Sequence, residues 1–165
     1  MSDFNPFLQA LASEEGRAYL ARMQQLALAP SLVELRVSGS WEEQIYRAIA
    51  LRIQGINQEL ATHLALCQNC FHPHQQLAVA IFATPFAQHL QIDALCNLKT
   101  DPITILIDVG RIVREDWLCA IAHEYAHAQA GIPGHHQAFL ETLTHLCLGL
   151  GLTPPPPSGL PESKL

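Results

Sequence analysis

His123, Glu124 and His127 follow the pattern His-Glu-x-x-His. On a helix, residues four apart share one face, with Cβ atoms roughly 5–6 Å apart. Two imidazoles placed this way can converge on one cation, at roughly 2.0–2.1 Å per nitrogen for zinc. Glu124 is displaced around the helix and is poorly placed to be a third ligand. It can instead reach a zinc-bound water and take its proton. A metal lowers the pKa of such a water towards neutrality, so a carboxylate suffices as the base. The flanks, Trp117 to Ala122 together with Ala126, Ala128 and Ala130, are apolar on nearly every side. A buried helix carrying two imidazoles and a carboxyl must give them partners, because unpaired buried polar groups are costly. A single cation supplies a partner for all three.

A catalytic zinc takes three protein ligands and keeps one position open. After the motif, Gly131 and Pro133 break the helix and let the chain reverse. His135 and His136 then lie at the turn into the next helix, and Glu141 and His145 lie further along it. The stretch His123-Glu-Tyr-Ala-His127, followed by Gly134-His135-His136-Gln137-Ala138-Phe139, resembles the SprT-like zinc metallopeptidases. In that family the motif is followed by a short loop and a segment His-Gly-x-x-aromatic, whose histidine completes a three-histidine site. Aligning Phe139 with the family's aromatic places His135 at the ligand position. His136 stands where the family has glycine, so both histidines stay candidates, with the spacing favouring His135. The strand preceding the active helix, residues 103–109, is also similar in placement. The cysteine-rich zinc ribbon and basic C-terminal region of many family members have no counterpart here. The resemblance implies a zincin-like α+β fold and one catalytic Zn2+ on His123, His127 and His135. It also implies Glu124 as general base in the cleavage of a protein or peptide bond.

The elements that must position these residues follow from hydrophobic spacing. Residues 7–28 read as a helix, with Leu8, Leu11, Ala12, Tyr19 and Leu26 as an imperfect stripe. A long helix starts near Ser40 or Trp41, where Ser40 and Glu43 form a capping-box pattern. Ile45, Ile49, Ile53, Ile56, Leu60 and Leu64 carry its core face to about Cys67. Residues 77–83 and the β-branched run 103–109 read as strands. Residues 86–97 are ambiguous. A helix is expected over 113–130 and a last one over 136–150, with Phe139, Leu143, Leu146, Cys147 and Leu150 on one face. The expected order is helix, helix, strand, strand, helix, helix. Residues 1–152 would form one metallopeptidase domain, and residues 153–165, with Pro154 to Pro157, an extended tail.

Composition narrows the function classes. Apolar residues make up 49% and charged residues 15% of 165 residues, which suits one globular domain. The formal net charge of −6 lacks the basic footprint of a nucleic-acid binder or of a membrane-surface protein. No apolar run is long enough to span a membrane and no signal peptide is evident at Met1 to Pro6, so a cytoplasmic location is expected. Five cysteines suit free thiols in a reducing compartment, with Cys119 and Cys147 inside apolar helical patterns. Cys67-Gln68-Asn69-Cys70, with His72 and His74, has the makings of a second metal site, but a loop with reduced thiols is the simpler reading. Tyr19, Tyr46 and Arg111 are candidate oxyanion donors. Asp108 and Asp116 are candidate acceptors for a ligating imidazole. Trp41 and Trp117 read as packing residues. Two rival functions remain: a binding or regulatory module stapled by zinc with His136 as fourth ligand, and a zinc hydrolase of a non-peptide substrate.

Overall fold

The computed structural model describes residues 5–156. Helix α1 spans Pro6–Leu26, opened by Pro6 at its first position and by the Asn5 side chain, which accepts from the Phe7 amide at 3.0 Å. Helix α2 spans Glu42–Gln68. Strands β1 (Val79–Ala83), β2 (Ala94–Asn97) and β3 (Ile103–Ile107) follow, and then helices α3 (Trp117–Ala130) and α4 (Gln137–Leu150). The fold is therefore α+β. The sheet order is β1-β3-β2, with β1 parallel and β2 antiparallel to the central β3.

The pleat sorts side chains onto two cores. Ile105 and Ile107 of β3, with Ile81 and Ala83 of β1, face α2 and α3 and meet Leu60, Leu64, Ile121, Ala122 and Tyr125. Leu106 and Leu95 face the opposite way and meet Met23 and Ala27 at the end of α1, with Val33 and Phe86. Helices therefore cover both sides of the small sheet, which explains why β3 is buried almost throughout. Helix α3 contacts α2, α4, β2 and β3, so most of this apolar helix is packed, with Cys119 left exposed.

Several expectations are corrected. The capping box does not form. Ser40 lies in a short 3-10 turn, Gly39–Trp41, and the α2 N-terminus has no side-chain cap. Glu43 is drawn away by α1, where Ser13 and Arg17 both donate to its carboxylate. Trp41 is 65% exposed and packs little, whereas Trp117 is buried and donates to the Ile112 carbonyl at 3.0 Å. Residues 114–116 form a 3-10 turn ahead of α3, not its first turn. The ambiguous stretch holds an unforeseen third strand, β2. Cys147 is buried as expected but Cys119 is exposed, and Cys67, at the end of α2, is buried; all five cysteines are free. Of the expected tail, residues 153–156 have no regular structure, and residues 157–165 lie outside the described residues.

The loop joining β1 to β2 is tied down by Arg111. Its guanidinium donates to the carbonyls of Phe86 (3.1 Å), Ala87 (2.7 Å) and Ile92 (3.1 Å), and also to that of Leu90. Its Nε meets the buried Asp108 carboxylate at 3.2 Å. Asp108 in turn accepts from the Phe86 and Gly110 amides, each at 3.0 Å. Arg111→Met keeps the volume but strands a buried carboxylate and four carbonyls. The expected cost is about 3–5 kcal/mol, by analogy with breaking a buried ion pair. Urea titration reads this directly, and a midpoint unchanged from the parent protein would remove Arg111 from its structural role.

Candidate metal centre

Helix α3 presents His123 and His127 one turn apart, with ring centroids 5.1 Å from each other. It ends at Gly131, whose φ of 70° is left-handed backbone that glycine adopts without strain. The Gly131 amide donates to the His127 carbonyl at 2.9 Å. The chain reverses through Ile132, Pro133 and Gly134 and delivers His135 just before α4. His135 lies 5.0 Å from each of the other two imidazoles, ring centre to ring centre. One ligand nitrogen from each of the three histidines falls within 4.8 Å of the others, so together they could hold a metal ion. Among the described residues no other group of histidine, cysteine or carboxylate side chains gathers in this way.

The local geometry suits a small cation. The Nε2 atoms of His123 and His135 are 3.2 Å apart. Two ligands of a tetrahedral zinc on arms of 2.0–2.1 Å would be roughly 3.3 Å apart. The Nδ1 atom of His127 lies 3.1 Å from the Ile132 carbonyl. A carbonyl only accepts, so Nδ1 carries the proton and Nε2 is left with its lone pair for a ligand. Burial, and then the neighbouring His127 and His135, push the His123 pKa down to about 4. Burial likewise lowers that of His127. Both rings are therefore neutral near pH 7, the form that binds metal.

Glu124 sits on the same helix with only 8% of its surface exposed. Burial pushes its carboxyl up to about 8. The Cys96 thiol of β2, packed on the same core, is driven up to about 12 by burial and then by the charge of Glu124.

The remaining candidates lie elsewhere. The His136 ring turns back over Gly134, so close that a Cβ there would meet it at 2.6 Å, and it does not join the cluster. Glu141 accepts from Gln137 at 2.9 Å. His145 lies tilted against the Phe71 ring and bonds to the Cys70 carbonyl at 2.7 Å. Cys67 and Cys70 do not gather with His72 and His74, which stack on each other instead. Tyr19 donates to the Ala83 carbonyl at 2.6 Å, Tyr46 is buried where α1 crosses α2 at Gly16, and Arg111 is consumed by the loop. All three expected oxyanion donors thus have structural work. Asp108 serves backbone amides and Arg111. The Ile132 carbonyl orients His127 in place of either aspartate. Gly131 marked the chain reversal after α3, but nothing in the sequence singled out the Ile132 carbonyl.

No protein-family model, curated protein or solved structure matches this chain at a significant level.

Two measurements follow from the geometry. His135→Ala should lower metal affinity at least tenfold in a competition titration, and His136→Ala should leave it near the parent value; the reverse order would reassign the third ligand. The second concerns protein freed of metal by a chelator. The Glu124 carboxyl ionises near 4.5 in the unfolded chain and near 8 in the folded one. Between those values the unfolded state releases a proton that the folded state keeps, so stability falls as pH rises through this window. Glu124→Gln removes this penalty. Its melting temperature should match the parent's at pH 4 and exceed it by several degrees at pH 8.

Proposed function

We propose that the chain is a zinc-dependent hydrolase that cleaves protein or peptide bonds, a SprT-like metallopeptidase with a zincin-like active helix. The observation that carries this reading is the gathering of His123, His127 and His135 nitrogens within 4.8 Å beside a buried glutamate on the same helix. Three imidazoles are a donor set that suits zinc, with one coordination position left for water or substrate. A zinc bound there would supply a Lewis acid that polarises a carbonyl oxygen and makes a water acidic near neutral pH. His127 keeps its ligand tautomer through the Ile132 carbonyl. Glu124 takes the proton from the attacking water and hands it to the leaving nitrogen. A carboxyl held up to about 8 by burial ionises more readily beside a cation, and afterwards it is a competent acid.

The free edge of β2 favours a peptide substrate. The Asp108 amide donates to the Asp93 carbonyl at 2.8 Å, in register with the β2–β3 pairing. Alternation along an antiparallel ladder then turns the backbone groups of Ala94 and Cys96 away from β3. These groups lie on an edge strand that no other strand pairs among the described residues. An extended peptide can add there by main-chain hydrogen bonds, and β2 packs against α3, the helix that carries Glu124. The stapled-module alternative loses its fourth ligand, because His136 lies over Gly134.

The test is Glu124→Gln in zinc-loaded protein, assayed on a denatured protein substrate and a peptide library. Zinc content should remain one per chain, while hydrolysis falls about a hundredfold or more, the range that general-base catalysis supplies. Full activity in the variant would sink the mechanism. Absence of zinc from the parent, even after zinc is offered and the excess removed, would sink the hydrolase reading.

A further inference from the structure

Phe139, on the first turn of α4, is 2% exposed. Its ring meets all three candidate ligands: His127 at 4.3 Å and 25°, His135 at 4.6 Å and 30°, and His123 at 5.0 Å and 65°. Its ring is thus nearly parallel to those of His127 and His135, which are themselves stacked at 25°, while His123 stands edge-on to all three. One aromatic side chain therefore contacts every ring of the site.

From these contacts we infer that Phe139 is a positioning residue: an apolar floor that sets the planes of the three imidazoles and leaves a single face of the cluster open to a further ligand. The inference rests on the metal reading above and adds to it. An imidazole on a free rotor places its lone pair over a wide arc, because the terminal ring torsion is broad. Stacking on a buried ring narrows that arc for His127 and His135 before any ion arrives. The edge-on contact does the same for His123, in geometries that aromatic pairs favour. The buried ring also excludes water from beneath the cluster. A water or a second protein donor can then approach only from the other side, where His135 is exposed and His123 half-buried. Phe139 would therefore govern coordination number as well as affinity. It supplies no donor atom, and it lies four residues after His135, on the first turn of the helix that follows.

The experiment loads the full chain with Co2+, whose visible absorption is strong in four-coordinate sites and weak in five- or six-coordinate ones. Parent protein, Phe139→Leu, Phe139→Ala and Phe139→Trp are compared, with His123→Ala as the metal-site control and melting curves to establish folding. Phe139→Leu keeps an apolar side chain of similar size and guards against loss of fold in the alanine variant. We expect Phe139→Leu to fold, to bind Co2+ at least tenfold more weakly and to lose most of the visible absorption. Phe139→Trp should restore much of both. A folded Phe139→Leu with the parent's spectrum and affinity would overturn the inference while leaving the metal site standing. A parent protein that binds no Co2+, or that binds it equally well after His123→Ala, would overturn the metal site itself.

Discussion

Helix α3 has to bury a carboxyl group and an imidazole among alanines, and the surrounding structure meets that demand. Glu124 and His127 are both over nine-tenths buried. A lone charge in such surroundings is expensive, so each group shifts towards its neutral form. The carboxyl is driven up and the imidazoles are driven down. These shifts favour a protonated Glu124 and leave lone pairs on His123 and His127. Such opposed shifts in one place are what proton-transfer sites require. The cost falls on stability, and the two cores that clasp the sheet have to cover it.

The rest of the fold follows from the need to hold α3 still. Its apolar faces are taken by α2, α4, β2 and β3. Strand β3 gives Ile105 and Ile107 to that side and Leu106 to the other, so the sheet is gripped by two hydrophobic clusters. The Arg111–Asp108 pair fixes the loop that leads into β2. The same pair spends the one arginine that might have looked catalytic, which shows why a charged residue near a site is weak evidence for chemistry until its hydrogen bonds are counted.

Long periodic elements were legible in the sequence and short ones were not. The stripe from Ile45 to Leu64 and the run from Ile103 announced α2 and β3, because burial imposes a period on many residues at once. Strand β2 offers only Ala94, Leu95, Cys96 and Asn97, a set with little intrinsic strand preference. Pairing with β3 holds it, with help from the Asn97 side chain, which donates to the Leu26 carbonyl at 2.8 Å. Both are long-range contacts that no local window contains. The capping box failed for a related reason: Glu43 had better partners on another helix. At the site, His123, Glu124 and His127 could be read from spacing alone, since an i, i+4 pair needs only a helix. The choice between His135 and His136 depended on a turn whose geometry places one ring in the cluster and lays the other over Gly134.

A division of labour along the chain follows from where the ligands sit. His123, His127, His135 and the Phe139 ring occupy one short helix-turn-helix hairpin, so the contacts that gather them are local in sequence. Helix α3, which carries Glu124, packs instead on β2 and β3, which are more distant in sequence. The contacts that gather the three histidines therefore close short stretches of chain, while those that seat α3 against the sheet close longer ones.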